Sequence, residues 1–215
     1  MACAGFIALG NWQSRRADEK RALALEIERD ARAAPIELAP GPLDPAPLVH
    51  KRVAARGVFI AERTVFLANR LRQGRPGYEI VTPLRLLQSE WHVLVNRGWL
   101  AAAPGALLEV RTPRSERRIE GIALDHLPHA LEAGPDKGSV RQNLSIAEFA
   151  AETGLRFLPL VIEQHSLSED GLERDWPRPD VGIDQHEAYA LQWYAFAALA
   201  LVLGVVLSFR RVVAR

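Results

Sequence analysis

Between Ala188 and Phe209 the chain runs for 22 residues without a charged side chain. A helix rises about 1.5 Å per residue, so this segment reaches roughly 33 Å, enough to cross the hydrocarbon core of a bilayer. A soluble core helix of that length would normally keep a polar face, and here only Gln192 and Ser208 break the apolar character. Tyr189, Trp193 and Tyr194 gather at one end, where amphipathic rings favour the headgroup layer. Arg210, Arg211 and Arg215 follow the other end, which the positive-inside rule assigns to the cytoplasm. The sequence therefore predicts a transmembrane helix over 186–209 and a cytoplasmic tail over 210–215, with all that precedes them outside the cytoplasm.

The opening "MACAGFIALG" is apolar but too short to span and lacks the basic region of a signal peptide. Residues 1–10 read as the end of a truncated first transmembrane helix. Leu23, Ala24, Ile27 and Ala31 then share one helical face, and Pro35 stops the pattern. Prolines at 35, 40, 42, 45 and 47 make the next stretch an extended connector. Six strand-like runs follow at Arg52–Ile60, Thr64–Ala68, Tyr78–Leu87, Trp91–Leu100, Arg118–Leu124 and Arg156–Gln164. In the fourth, Trp91, Val93, Val95 and Trp99 alternate with His92, Leu94, Asn96 and Gly98, as in a half-buried strand. Ser145, with Glu148 at capping-box spacing, opens a short helix to Thr153. Residues 11–185 are thus expected to form one outer α+β domain, β-rich and antiparallel, barrel-like or a sandwich.

A net charge of +1 gives no polybasic case for nucleic acid. Cys3 is the only cysteine, which excludes an internal disulfide or a Cys-x-x-Cys site. The nucleophile elbow, the phosphate-cradling glycine loop and His-Glu-x-x-His are all missing. "DHLPH" sets Asp125, His126 and His129 close together, but Pro128 spoils a helical ligand face and no second cluster completes a site. "SEDGLERDWPRPD" reads as a solvated, proline-stiffened loop. A non-enzymatic protein is expected, since no nucleophile–base pair supports a hydrolase of the outer compartment.

Three features remain. Arg97 lies in a strand near two tryptophans, either stacked or ion-paired inside the fold, or offering its guanidinium to an anionic ligand group. Trp176 between Arg174 and Arg178 suits a docking loop or an interfacial anchor. On a helix, His186, Ala190, Trp193, Ala197, Ala200 and Gly204 form one stripe, whose small residues let a second helix or a flat ligand approach closely. His186 at its outer end is either hydrogen-bonded in the headgroup layer or an axial ligand, with haem iron the usual partner of a single membrane histidine.

Six motifs in order carry a resemblance over nearly the whole chain. They are "LGNWQSRR", "GRPGYEIVTPLRL", "VLVNRGWL", "QNLSIAEFAAETG", "DGLERDWPRPDVGIDQH" and "YALQWYAFA". The chain resembles the Surfeit locus family of cytochrome c oxidase assembly factors, in a bacterial-type form. The resemblance implies two membrane helices flanking an outer domain, and a role in maturing the haem–copper oxidase core subunit. It implies the cell inner membrane, with the soluble domain in the periplasm. It also implies transient binding of haem a, with His186 as the iron ligand and Tyr189, Gln192 and Trp193 beside it. Asn96, Arg97, Gly98 and Trp99 match the outer-domain signature, and Gly74, Pro76, Gly77 and Tyr78 the one before it. Arg97 or Arg178 is offered to the haem propionates. The partners expected are oxidase core subunit I, the haem a synthesis machinery and membrane lipid, with no nucleic acid. The competing expectation is a scaffold that holds the half-built core subunit and never binds haem.

Overall fold

The structure is a computed structural model that describes residues 2–103, 105, 108–129, 137–176 and 183–213. The chain divides into two compact units, one of Met1–Glu28 with Pro177–Arg215 and the other of Arg29–Trp176.

In the first unit the apolar C-terminal run lies within a single helix, α3 (Ile183–Val213). Its Asp184–Gly204 segment is the one stretch among the described residues long and apolar enough to cross a membrane. Its partner is α1 (Ala2–Arg32), which continues unbroken through Gly10 and ends three residues before Pro35. A proline restricts its predecessor and cannot continue the ladder, so the stop falls where the sequence places it.

The second unit is built on an eight-stranded sheet. Its strands are β1 (Ile36–Glu37), β2 (Arg52–Phe59), β3 (Val65–Leu67), β4 (Gly77–Leu86), β5 (Trp91–Ala101), β6 (Arg117–Leu124), β7 (Val140–Arg141) and β8 (Arg156–Gln164). Their order is β1-β2-β6-β8-β5-β4-β3-β7, and an added β2–β4 pairing closes five of them into a barrel. Alternate residues of those five strands meet inside, among them Val53, Phe59, Leu84, Val93, Val95, Ile119, Leu160 and Ile162.

The α+β, barrel-like architecture is the one the sequence predicts, with two differences. The ladder is mixed, because β5 pairs parallel with β8, as do β1 with β2 and β3 with β7. A parallel neighbour needs a long crossover, and here the chain between β5 and β8 includes β6, β7 and α2 (Ile146–Thr153). The Ser145 cap forms as expected, its side chain accepting from the Glu148 N–H. The second difference is β5 itself, expected half-buried but buried on both faces from His92 to Trp99. Leu94 packs outside the barrel against the cluster of Phe149, Phe157, Leu127 and Val161, so α2 and its flanks cover the face that alternation assigned to solvent.

Candidate functional site

Cys3, Phe6, Gly10, Gln13 and Ala17 recur along α1 at spacings of three and four. They face the α3 stripe of His186, Ala190, Trp193 and Ala197, which has the same spacing. The two seams mesh as an antiparallel pair. Ala17, Ala190 and Ala197 are buried. Phe6 stacks on Trp193 with ring centroids 5.8 Å apart, and Phe196 closes the aromatic group. The Cys3 thiol donates to the Ala197 carbonyl at 3.5 Å. Gly10 lies directly under the Tyr194 ring, where an added Cβ would fall 2.5 Å from a ring carbon. From His186 to Ala197 the small-residue stripe predicted to admit a helix or a flat ligand is therefore covered by α1, whereas Gly204 at its far end is exposed.

At one end of this seam the contacts become polar. His186 Nδ1 lies 2.7 Å from Gln13 Oε1, so the imidazole donates from Nδ1 and Nε2 is the nitrogen outside that bond. The Tyr194 hydroxyl donates to Asn11 Oδ1 at 2.9 Å and lies 3.2 Å from Ser14 Oγ. Arg21, two turns beyond Gln13 on α1, forms an ion pair with Glu187, the residue after His186. Trp193 adjoins the seam as its stripe position requires, whereas Tyr189 and Gln192 are exposed. Gln13, Asn11 and Ser14 complete the cluster without having been singled out from the sequence, and Tyr194 was expected there only as an aromatic of the headgroup layer. The 3–4 spacing of the first helix was the available signal.

Arg97 occupies a different environment in the barrel unit. The register of β4 and β5 passes from Ile80–Gly98 to Val81–Asn96, so Arg97 is the extra residue of a β-bulge. Its side chain is fully buried and lies over the Phe59 ring at 5.0 Å. It donates to Thr112 Oγ1 at 2.6 Å, the Arg111 carbonyl at 2.7 Å and Asp170 Oδ2 at 3.0 Å. Burial pushes the Arg97 guanidinium below its ordinary value, against the pull of Asp170. Burial alone would raise the Asp170 carboxyl, but the Arg174 hydrogen bond and charge, the Leu172 N–H and Arg97 together hold it below its usual range. Arg97 is thus engaged inside the fold. Arg178 lies outside the described residues.

The neighbouring arginines follow the same pattern. Glu79 receives Asn96 at 3.0 Å and lies 3.9 and 3.7 Å from the guanidiniums of Arg70 and Arg72. Arg70 also donates to the Pro128 and Gln142 carbonyls, and Arg72 to the Asp175 carbonyl while lying over Trp176. Trp99 pairs its backbone with Glu173, and Arg75 grips the Glu173 carboxylate at 3.0 and 3.2 Å. Gly98 sits at φ 145° beneath Leu172 and Glu173, a backbone region where side chains are strained and where a Cβ would collide. The segment Asp170–Trp176, expected to be a solvated loop, is bound to the barrel throughout. Asp125 and His126 pair with each other on the surface, and no group of three metal-ligating side chains forms among the described residues.

Residues 1–198 match the model of the SURF1 family. The chain is 25% identical over 216 residues to the SURF1-like protein of Monosiga brevicollis, covering 93% of this chain and 82% of that protein. It is 27% identical over 217 residues to the SURF1-like protein of Drosophila melanogaster, covering 88% of this chain and 69% of that protein.

Proposed function

The chain belongs to the SURF1 family of cytochrome c oxidase assembly factors, and from that premise we propose that it is a membrane-anchored, non-enzymatic factor that holds haem a during maturation of the oxidase core subunit. In this reading α3 anchors the protein in the inner membrane of a bacterium. Arg210 and Arg211 face the cytoplasm and the barrel lies in the periplasm. Haem arrives from its synthesis machinery and leaves to core subunit I.

One observation carries the haem reading: the hydrogen bond from His186 Nδ1 to Gln13. It fixes the ring and commits Nδ1, leaving Nε2 with a lone pair to give. A bare metal ion would require several protein ligands, and the described residues gather no such set. A porphyrin brings four nitrogens to its iron and needs only an axial imidazole, so the residues present fit haem better than a free ion. In this reading haem would be cargo rather than a resident cofactor. The chain's own part is to ligate through His186, hold the ring through Gln13 and present the aromatic surface of Trp193 beside it. Tyr189 and Gln192, exposed on the same helix, are available to a ligand or a partner at that end. Arg97 enters through the shape of the barrel unit, since its two terminal nitrogens are already held by Thr112, Arg111 and Asp170.

A haem-free scaffold is favoured by one fact: α1 covers the small-residue stripe of α3 along Phe6, Gly10 and Ala17. The experiment that separates the two readings is a visible absorption spectrum of the chain purified from membranes that make haem a, beside His186→Ala and Gln13→Leu. A haem a band lost in His186→Ala, and weakened or shifted in Gln13→Leu, supports the haem reading. No band in any of them, with core subunit I still co-purifying, supports the scaffold.

A further inference from the structure

We propose that the barrel unit carries a second site, a basic groove that takes an acidic, partly apolar peptide segment of a partner protein. The groove has a volume of about 820 Å³, and Phe59, Arg111, Arg114, Arg117, Gln164 and Leu167 line it. A volume of that size holds several side chains and is far larger than a single phosphate or carboxylate needs.

Its charge is unbalanced. Arg118 also lines the groove but is held by Glu37 at 2.7 Å and by Glu120. Arg114 has only a distant, exposed partner in Glu62 at 3.9 Å. Arg111 and Arg117 have no ion pair among the described residues, and Glu169 is the one acidic side chain in the lining. Below the groove the single Asp170 carboxylate is shared between Arg97 and Arg174, so that group adds no negative charge. Anionic groups are the complement of this rim.

The floor narrows the choice. Gln164 is 1% exposed, yet its Oε1 has no hydrogen-bond partner, while its Nε2 donates to the Ser166 carbonyl. A buried acceptor left unpaired is costly, and a segment that opened the groove floor and brought N–H groups to it would satisfy it. Lipid phosphates and free inorganic anions offer acceptors, whereas a peptide offers backbone N–H groups along with its carboxylates. Leu167 at the rim is 97% exposed, while Phe59 and Ile119 show only their edges from the barrel core, so apolar side chains of the peptide find their main contact at Leu167. Cations, an unmet acceptor and an apolar contact together describe an acidic peptide. This site stands whether or not the helix pair holds haem.

The test presents the full chain in detergent to a display library of random dodecapeptides, in parallel with the Arg111→Glu/Arg117→Glu double variant and with Leu167→Asp. These side chains are exposed, and unchanged circular dichroism melts would confirm that the variants fold. The expected result is enrichment of Asp/Glu sequences bearing apolar residues on the parent. The leading peptide, synthesised with a fluorescent label, should bind at least tenfold more weakly to the double variant and severalfold more weakly to Leu167→Asp. Equal enrichment on parent and double variant, or no acidic enrichment, overturns the proposal. So does arginine-dependent binding of phosphatidylglycerol vesicles without peptide enrichment, which would assign the groove to lipid.

Discussion

In the barrel unit Arg97, Asp170 and Glu79 are all buried, none more than 9% exposed, and each has two or more polar partners. In the helix pair His186 is only half-buried and Tyr194 is exposed, and each has one or two partners. The contrast follows from the cost of burial. A charge taken fully out of water must have its hydrogen bonds matched, or it destabilises the fold by several kcal/mol, so it has little left for a ligand. A neutral, partly solvated imidazole can leave one nitrogen uncommitted at small cost. Between these two groups, the half-buried imidazole keeps the capacity to bind, and the buried Arg97 maintains the frame.

The sharpest way to break this comparison is Arg97→Met. Removing one member of a buried pair typically costs about 3–5 kcal/mol. Arg174 remains on Asp170 at 2.6 Å, which places the expected loss toward the lower end. Denaturant unfolding of the barrel unit within the full chain measures it. A loss under about 1 kcal/mol would mean that the guanidinium is not structural, and would return Arg97 to the candidate ligands. Gly98→Ala follows at about 2 kcal/mol, from the strained backbone and the contacts at 2.8 and 2.9 Å with Leu172 and Glu173. Its second sign is faster proteolysis within Asp170–Trp176 as the Trp99–Glu173 pairing loosens.

A smaller effect comes from pH. Burial lowers the pKa of His92, against the weaker pull of the Arg156 carbonyl. The unfolded chain takes up a proton near the ordinary histidine value of about 6.5 while the folded ring stays neutral, so stability falls as pH drops below that value. For one group the slope is at most about 1.4 kcal/mol per pH unit. Asp170 and Glu152, both held below their usual range, keep their contributions until the carboxylate range is reached. A melt series from pH 7 to 5 on the parent and on His92→Gln checks this, the variant giving the flatter profile.

Much of the frame was legible in the sequence because local rules and tertiary packing agreed. Six strand-like runs, the Ser145 cap and the stop before Pro35 each rest on a short-range preference that the barrel reinforces. The two-residue strands β1 and β7 were not legible, since two residues carry no periodicity. Nor was the second buried face of β5, which depends on α2 returning from some fifty residues later. The fate of Arg97 turns on a bulge and on Asp170, more than seventy residues away. At the helix pair the sequence pointed to His186 and Trp193 through the α3 stripe. It did not point to Gln13, because the matching seam in α1 runs across the boundary between an apolar decade and a charged helix.

Tyr194→Phe has the smallest expected effect and sharpens the comparison most. It deletes the bonds to Asn11 and Ser14 while keeping the ring on Gly10. A single side-chain hydrogen bond contributes about 1 kcal/mol, so the pair should loosen only slightly in a thermal melt in detergent. Gln13→Leu deletes a bond of similar strength from the same seam. If the polar cluster served only to join the helices, the two variants would behave alike. If the Gln13 bond sets which His186 nitrogen is free, Tyr194→Phe leaves a haem a band unchanged and Gln13→Leu does not. Two bonds of nearly equal energy would then differ in consequence, because only one of them decides where a lone pair resides.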